Sequence, residues 1–94
     1  MISLVYLTDV APSAMAGELT LAGYSVWEAL SVSEVLHLCA HQRIDAVVVA
    51  AGVQTNLNDI ETHHITIQLR PQAAVADVMW ELAQLFPKGN TAVH

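Results

Sequence analysis

The run Ile44-Asp45-Ala46-Val47-Val48-Val49-Ala50 is apolar at odd and even positions alike. Side chains of a strand point alternately to its two faces, so both faces of this segment must be buried. Strands with that pattern occupy the middle of parallel sheets that helices cover on both sides. The rest of the chain therefore has to supply both the neighbours and the cover for residues 44–50.

The other segments fit that demand. Ile2-Ser3-Leu4-Val5-Tyr6-Leu7, closed by Thr8-Asp9, reads as a buried first strand. Met15, Leu19 and Ala22 fall at helical spacing after Pro12, and Gly23 is placed for a left-handed stop, which predicts a first helix. Tyr24-Ser25-Val26-Trp27-Glu28-Ala29 predicts a second strand, and Ser31-Val32-Ser33-Glu34 is a capping box that opens a second helix. In that helix Val32, Val35, Leu36, Cys39 and Ala40 make one apolar stripe, with Glu34, His37 and His41 turned outward. Residues 54–64 are polar and leave room for a loop or one short turn of helix around Leu57 and Ile60. Residues 65–69 alternate, so the fourth strand has one buried and one wetted face. Pro71 is expected to open a last helix with the stripe Val75, Val78, Met79, Leu82 and Phe86, and residues 88–94 form a frayed tail.

Strands alternating with helices across short connections predict one small doubly wound domain over residues 1–94, a three-layer α/β/α architecture with a mainly parallel four-stranded sheet. At 94 residues there is one core and no second domain. Charged residues make up 13%, against the usual ~25%, while hydrophobic residues reach 54%. A net charge of -6 with only Arg43, Arg70 and Lys88 as bases excludes a nucleic-acid partner and an anionic membrane surface. No apolar run approaches the ~20 residues of a membrane span. The opening Met-Ile-Ser-Leu lacks the basic region of a signal peptide, and a lone Cys39 suits a reducing compartment, so a cytoplasmic location is expected.

From Ala22-Gly23-Tyr24-Ser25-Val26-Trp27-Glu28-Ala29 to Ile44-Asp45-Ala46-Val47-Val48-Val49, the chain resembles the first half of the receiver domain of two-component response regulators. That family shows a Gly-Tyr-x-Val run and Ala, then a helix, then Pro-Asp before an apolar strand. Leu69-Arg70-Pro71 and the helix after it are similar to the family's Lys-Pro turn and final helix. The resemblance spans nearly the whole chain apart from residues 51–64, and it implies a flavodoxin-like fold that is one strand and about two helices short. It also implies lost chemistry. Receivers take a phosphoryl group on an aspartate at the end of strand three, with Mg²⁺ held by an acidic pair after strand one. Here those positions fall on Ala50 and on Thr8-Asp9, the lysine position on Arg70, and the Ser/Thr switch has no counterpart. A divalent ion that must also neutralise a phosphoryl group needs several carboxylate oxygens, and Asp9 alone does not supply them. The expectation is a non-enzymatic, signalling-related pseudo-receiver that binds other proteins and uses no cofactor.

Other constellations carry less. His37 and His41 at i, i+4 share a helix face and are candidate metal ligands with Glu34 one turn before, against the plainer reading of two solvated imidazoles. His63-His64 join them only if the fold brings the pairs together. Cys39 lies on the apolar stripe as a small hydrophobe. Asp9 is either a ligand contact at the carboxyl edge of the sheet or the N-cap of helix one, and Arg70 either its partner at that edge or a surface charge. The glycines are scattered singly, so no phosphate loop exists. The alternatives to the interaction module are therefore a small metal-binding or a ligand-sensing α/β protein. Trp80 stands at the flank of its helix stripe, as a core border residue or as an interface anchor. With residues 54–64 as a thin lid, one face of strand three is expected to lack cover, which predicts a homodimer formed through that face or through the edge strand at residues 65–69.

Overall fold

A computed structural model describes residues 2–9, 13–53 and 55–86. Eight elements alternate along the chain: β1 (Ser3–Leu7), α1 (Ala14–Leu21), β2 (Ser25–Ala29), α2 (Val32–His41), β3 (Ala46–Val49), α3 (Asn58–His63), β4 (Thr66–Gln68) and α4 (Val75–Leu85). All strand pairs are parallel, in the order β2-β1-β3-β4, so the sheet is wholly rather than mainly parallel. With helices on both faces this is the small flavodoxin-like three-layer α/β domain expected from the strand patterns.

The register explains why β1 and β3 are apolar throughout. Leu4 pairs with Ala46, Val5 with Val47, Tyr6 with Val48 and Leu7 with Val49, and every one of these residues is buried. Alternate side chains feed two cores, one on each face of the sheet, where the chain length suggested a single one. Leu4, Tyr6, Ala46, Val48 and Ile67 face Ala16 and Leu19 of α1 and Val78 and Leu82 of α4. Val5, Leu7, Ala29, Val47 and Val49 face Val35 of α2 and Ile60 of α3. The amino end of the sheet is clasped by a reciprocal pair: the Ser3 N–H donates to the Asp45 carboxylate at 2.8 Å, and the Asp45 N–H donates to the Ser3 carbonyl at 2.8 Å.

The segment between β3 and β4 changes the expected picture most. It takes the helical of its two expected forms and extends to six residues, so four helices form among the described residues. Ile60 is completely buried against β3, with Leu57 and Val53 packed beside it. The expectation that this face of β3 lacks cover is therefore corrected. One branched side chain, delivered by a short helix, closes it. β4 alternates as its sequence implies: Ile67 is buried, Thr66 is half-buried, and Gln68 is exposed, its amide donating to the Glu61 carboxylate of α3 at 2.7 Å. The wetted face of this strand thus has a polar cover.

Three smaller corrections have local causes. Pro71 and Gln72 form a turn, and α4 begins at Val75, where the Asp77 carboxylate accepts the Ala74 N–H at 2.8 Å and satisfies one of the orphan donors of a helix start. Along α4 Val78 and Leu82 are buried while Met79 is exposed, so the stripe is narrower than its spacing suggests. Ala40 of α2 is also exposed. Gly23 does stop α1, with φ +106° in the region that favours glycine. Pro12 and residues 88–94 lie outside the described residues.

Replacing Ile60 by Ala should cost about 2–5 kcal/mol in urea unfolding, because it empties a site that α3 alone fills. Leu21, 89% exposed on α1, should tolerate the same change within about 0.5 kcal/mol. Equal losses at the two positions would contradict the role given to α3.

Candidate functional site

The order β2-β1-β3-β4 places the reversal of strand order between β1 and β3, where the loops leaving the carboxyl ends diverge and ligands of such sheets bind. A cleft of about 260 Å³ lies there, lined among others by Thr8, Asp9, Ser31, Val32, Gly52 and Thr55. Each wall has a local cause. Thr8 is buried, its N–H donating to the Ala29 carbonyl at 3.0 Å, which carries β1 pairing one residue past the strand. Gly52 has φ +89°, and the Val53 N–H reaches back to the Ala50 carbonyl at 3.3 Å, so the chain turns sharply as it leaves β3. Ser31 caps α2 with half of the expected box: its hydroxyl accepts the Glu34 N–H at 3.2 Å, while the Glu34 carboxylate accepts the N–H of Leu30, one residue before the cap, at 2.9 Å.

This geometry limits the chemistry. Among the described residues Asp9 is the one ionisable side chain lining the cleft, and it is exposed. It does not cap α1, whose N-cap is Ser13; the Ser13 N–H is held instead by the Glu28 carboxylate from β2 at 2.6 Å. Ala50 is half-buried, its methyl packed against the α1/α4 core and its N–H donating to the Leu7 carbonyl at 2.8 Å. The helix dipole at the start of α2 already meets the Glu34 carboxylate, which disfavours a second anion there. Arg70 stands on a different cleft with Pro71, Gln72 and Ala73. In the strand order β3 separates the ends of β1 and β4, roughly 10 Å apart at the ~4.8 Å spacing of neighbouring strands. The carboxyl edge thus brings Thr8 and Asp9 together, and leaves Arg70 outside.

The remaining candidates fall on other surfaces. His37 and His41 are exposed on α2 with ring centroids 4.3 Å apart and planes tilted by 49°. His63 and His64 at the end of α3 lie edge to face at 6.5 Å. Among the described residues no group of three or more His, Cys, Asp or Glu side chains is placed to hold a metal ion. Cys39 is half-buried against the α2/α3 core, and burial pushes its thiol above the ordinary range, away from nucleophilic thiolate character. Trp80 is 63% exposed, so most of its surface lies outside the core. It lines a cleft of about 160 Å³ between α4 and β4 together with Leu69, Arg70, Asp77 and Glu81. Ile65 at the start of β4 and Met79 and Leu85 on α4 are further large apolar side chains left exposed.

Glu28 as the tether of α1 went unseen in the sequence, since its partner is a backbone N–H fifteen residues away. The lone Gly52 directly after an apolar strand was the available signal for the tight turn. No helix among the described residues is long and apolar enough to cross a membrane. No protein-family model, curated protein or solved structure matches the chain, so the chemistry of the site is read from its own residues.

Ser31→Ala should destabilise the fold by about 0.5–2 kcal/mol in chemical denaturation, as an N-cap loss does. A neutral result would mean that the Glu34 carboxylate alone holds this end of the cleft.

Proposed function

We propose that this chain is a non-catalytic protein-interaction module on a receiver-like frame, related to signalling, that takes no aspartyl phosphate and pairs with a second copy of itself. The observation that carries the reading is the division of the surface. The carboxyl edge, where such a frame would do chemistry, offers a methyl at Ala50, a buried Thr8 and a single carboxylate at Asp9. The opposite flank of the sheet offers an exposed tryptophan beside an open strand edge.

The choice of surface follows from the sheet. Val47 donates to the Ile65 carbonyl and Leu69 to the Val49 carbonyl, so residues 65, 67 and 69 serve the ladder with β3. By the alternation of a parallel ladder, the N–H and C=O groups of Thr66 and Gln68 point to the open side. β2 is the other edge, and there Glu28 is an exposed charge of the kind that discourages strand addition. β4 carries no charged residue within Thr66–Gln68. The cleft under Trp80 also holds both signs of charge, Arg70 against Asp77 and Glu81, so two copies meeting about a two-fold axis can set each sign against its opposite. The ligand-sensing alternative needs Asp9 and Arg70 on one cleft, and they line separate ones.

Acetyl phosphate with Mg²⁺ should leave the mass of the protein unchanged, and beryllofluoride should leave its spectra unchanged. Ala50→Asp alone should restore little or nothing, because Thr8 leaves Asp9 without its acidic partner and the basic position, Arg70, stands on a separate cleft. A stable aspartyl phosphate on Asp9 or Asp45 would overturn the reading.

Sedimentation at micromolar concentration should show a dimer, and Trp80→Glu should convert it to the 10.1 kDa monomer. A wild-type chain that sediments as a monomer would rule out self-association as the use of this surface.

A further inference from the structure

The exposed face of α2 carries an arrangement that the interaction reading does not use. Residues four apart on a helix stand one above the other, with Cβ atoms ~5–6 Å apart, and side chains there meet when their rotamers lean together. His37 and His41 do so, with centroids 4.3 Å apart. Two imidazoles bound to one ion through metal–nitrogen bonds of ~2.0–2.1 Å, at a right angle, have ring centres roughly 4.5 Å apart. The centroid separation of the pair is therefore close to that of a chelate. Imidazole nitrogen suits nickel, copper and zinc, and a right-angled pair suits the tetragonal or octahedral preference of the first two.

The surroundings favour a cation. Glu28 and Glu34 line the same cleft as His37, a space of about 340 Å³, and the chain as a whole carries a net charge of -6. The Glu34 carboxylate accepts the Leu30 N–H, so its first duty is to the start of α2. No third ligand is in place among the described residues, which leaves the other coordination positions to water. We propose that His37 and His41 form a two-imidazole chelating site for a divalent transition ion of the nickel–copper–zinc class. This site is separate from the β4 edge and from the cleft at Asp9, so it stands or falls independently of the dimer.

The test uses nickel chloride and the whole chain in a non-coordinating buffer. Calorimetry should give one Ni²⁺ bound through this pair. Affinity should fall at least about tenfold in His37→Ala and in His41→Ala, since each removes the arm that makes the second contact intramolecular. His63→Ala, on the other histidine pair, should leave binding unchanged. Because an ion that binds only the folded chain stabilises it, Ni²⁺ should also raise the thermal midpoint of the wild type more than that of either α2 variant. Both variants change exposed helix positions and should fold, which their midpoints without metal will report. Nickel binding equally well to both α2 variants, or no heat and no midpoint shift with millimolar Ni²⁺, would overturn the assignment.

Discussion

The structure depends on one constraint: a strand of four consecutive buried residues, Ala46–Val49, needs apolar cover above and below. The α1/α4 layer meets Ala46 and Val48, and α2 meets part of the opposite face. What remains is closed by Ile60, completely buried from a helix of only six residues. Six residues are too few for a helix to persist alone, so α3 exists because Ile60 and Leu57 dock, and the docking holds because α3 delivers them. That mutual dependence lets a chain of 94 residues complete a three-layer fold.

Features whose physics is local were legible in the sequence. The two-faced pattern of β3, the Ser31 cap on Glu34 and the left-handed Gly23 each follow from neighbouring residues, and each is realised, with the Glu34 carboxylate shifted one residue back onto Leu30. The alternation of β4 was legible for the same reason, down to the wetted Gln68. Features set by tertiary geometry were not. Leu57 and Ile60 stand out in the polar stretch as a thin lid, but nothing local shows that Ile60 will be completely buried and close that face of β3. Pro71 is a good first-turn residue, yet the helix waits for the Asp77 carboxylate five residues past the turn. Trp80 could be placed at the border of a stripe, but which side of that border is wet depends on where β4 lies beneath it.

The candidate site was legible mainly through what it lacks. Thr8, Asp9 and Ala50 do gather where β1 and β3 end, but one exposed carboxylate does not make a phosphoryl-transfer centre, and Arg70 is a strand away. Carboxylates able to serve chemistry are instead engaged in holding the fold. Glu28 holds the start of α1, Glu34 the start of α2, and Asp45 clasps β1 to β3. With its few charges committed in this way, the molecule presents its distinctive surface where the cores leave apolar groups outside, around Trp80 and the open side of β4.

Amide hydrogen exchange followed against protein concentration tests this account most directly. The amides of Val47 and Val49, paired within the sheet, should exchange slowly at every concentration, as groups released only by large-scale opening do. Those of Thr66 and Gln68 point away from β3 and should exchange fast in dilute solution, then become protected as copies pair. Fast exchange at Thr66 and Gln68 at all concentrations, with protection appearing elsewhere or nowhere, would contradict the assignment of β4 as the contact edge.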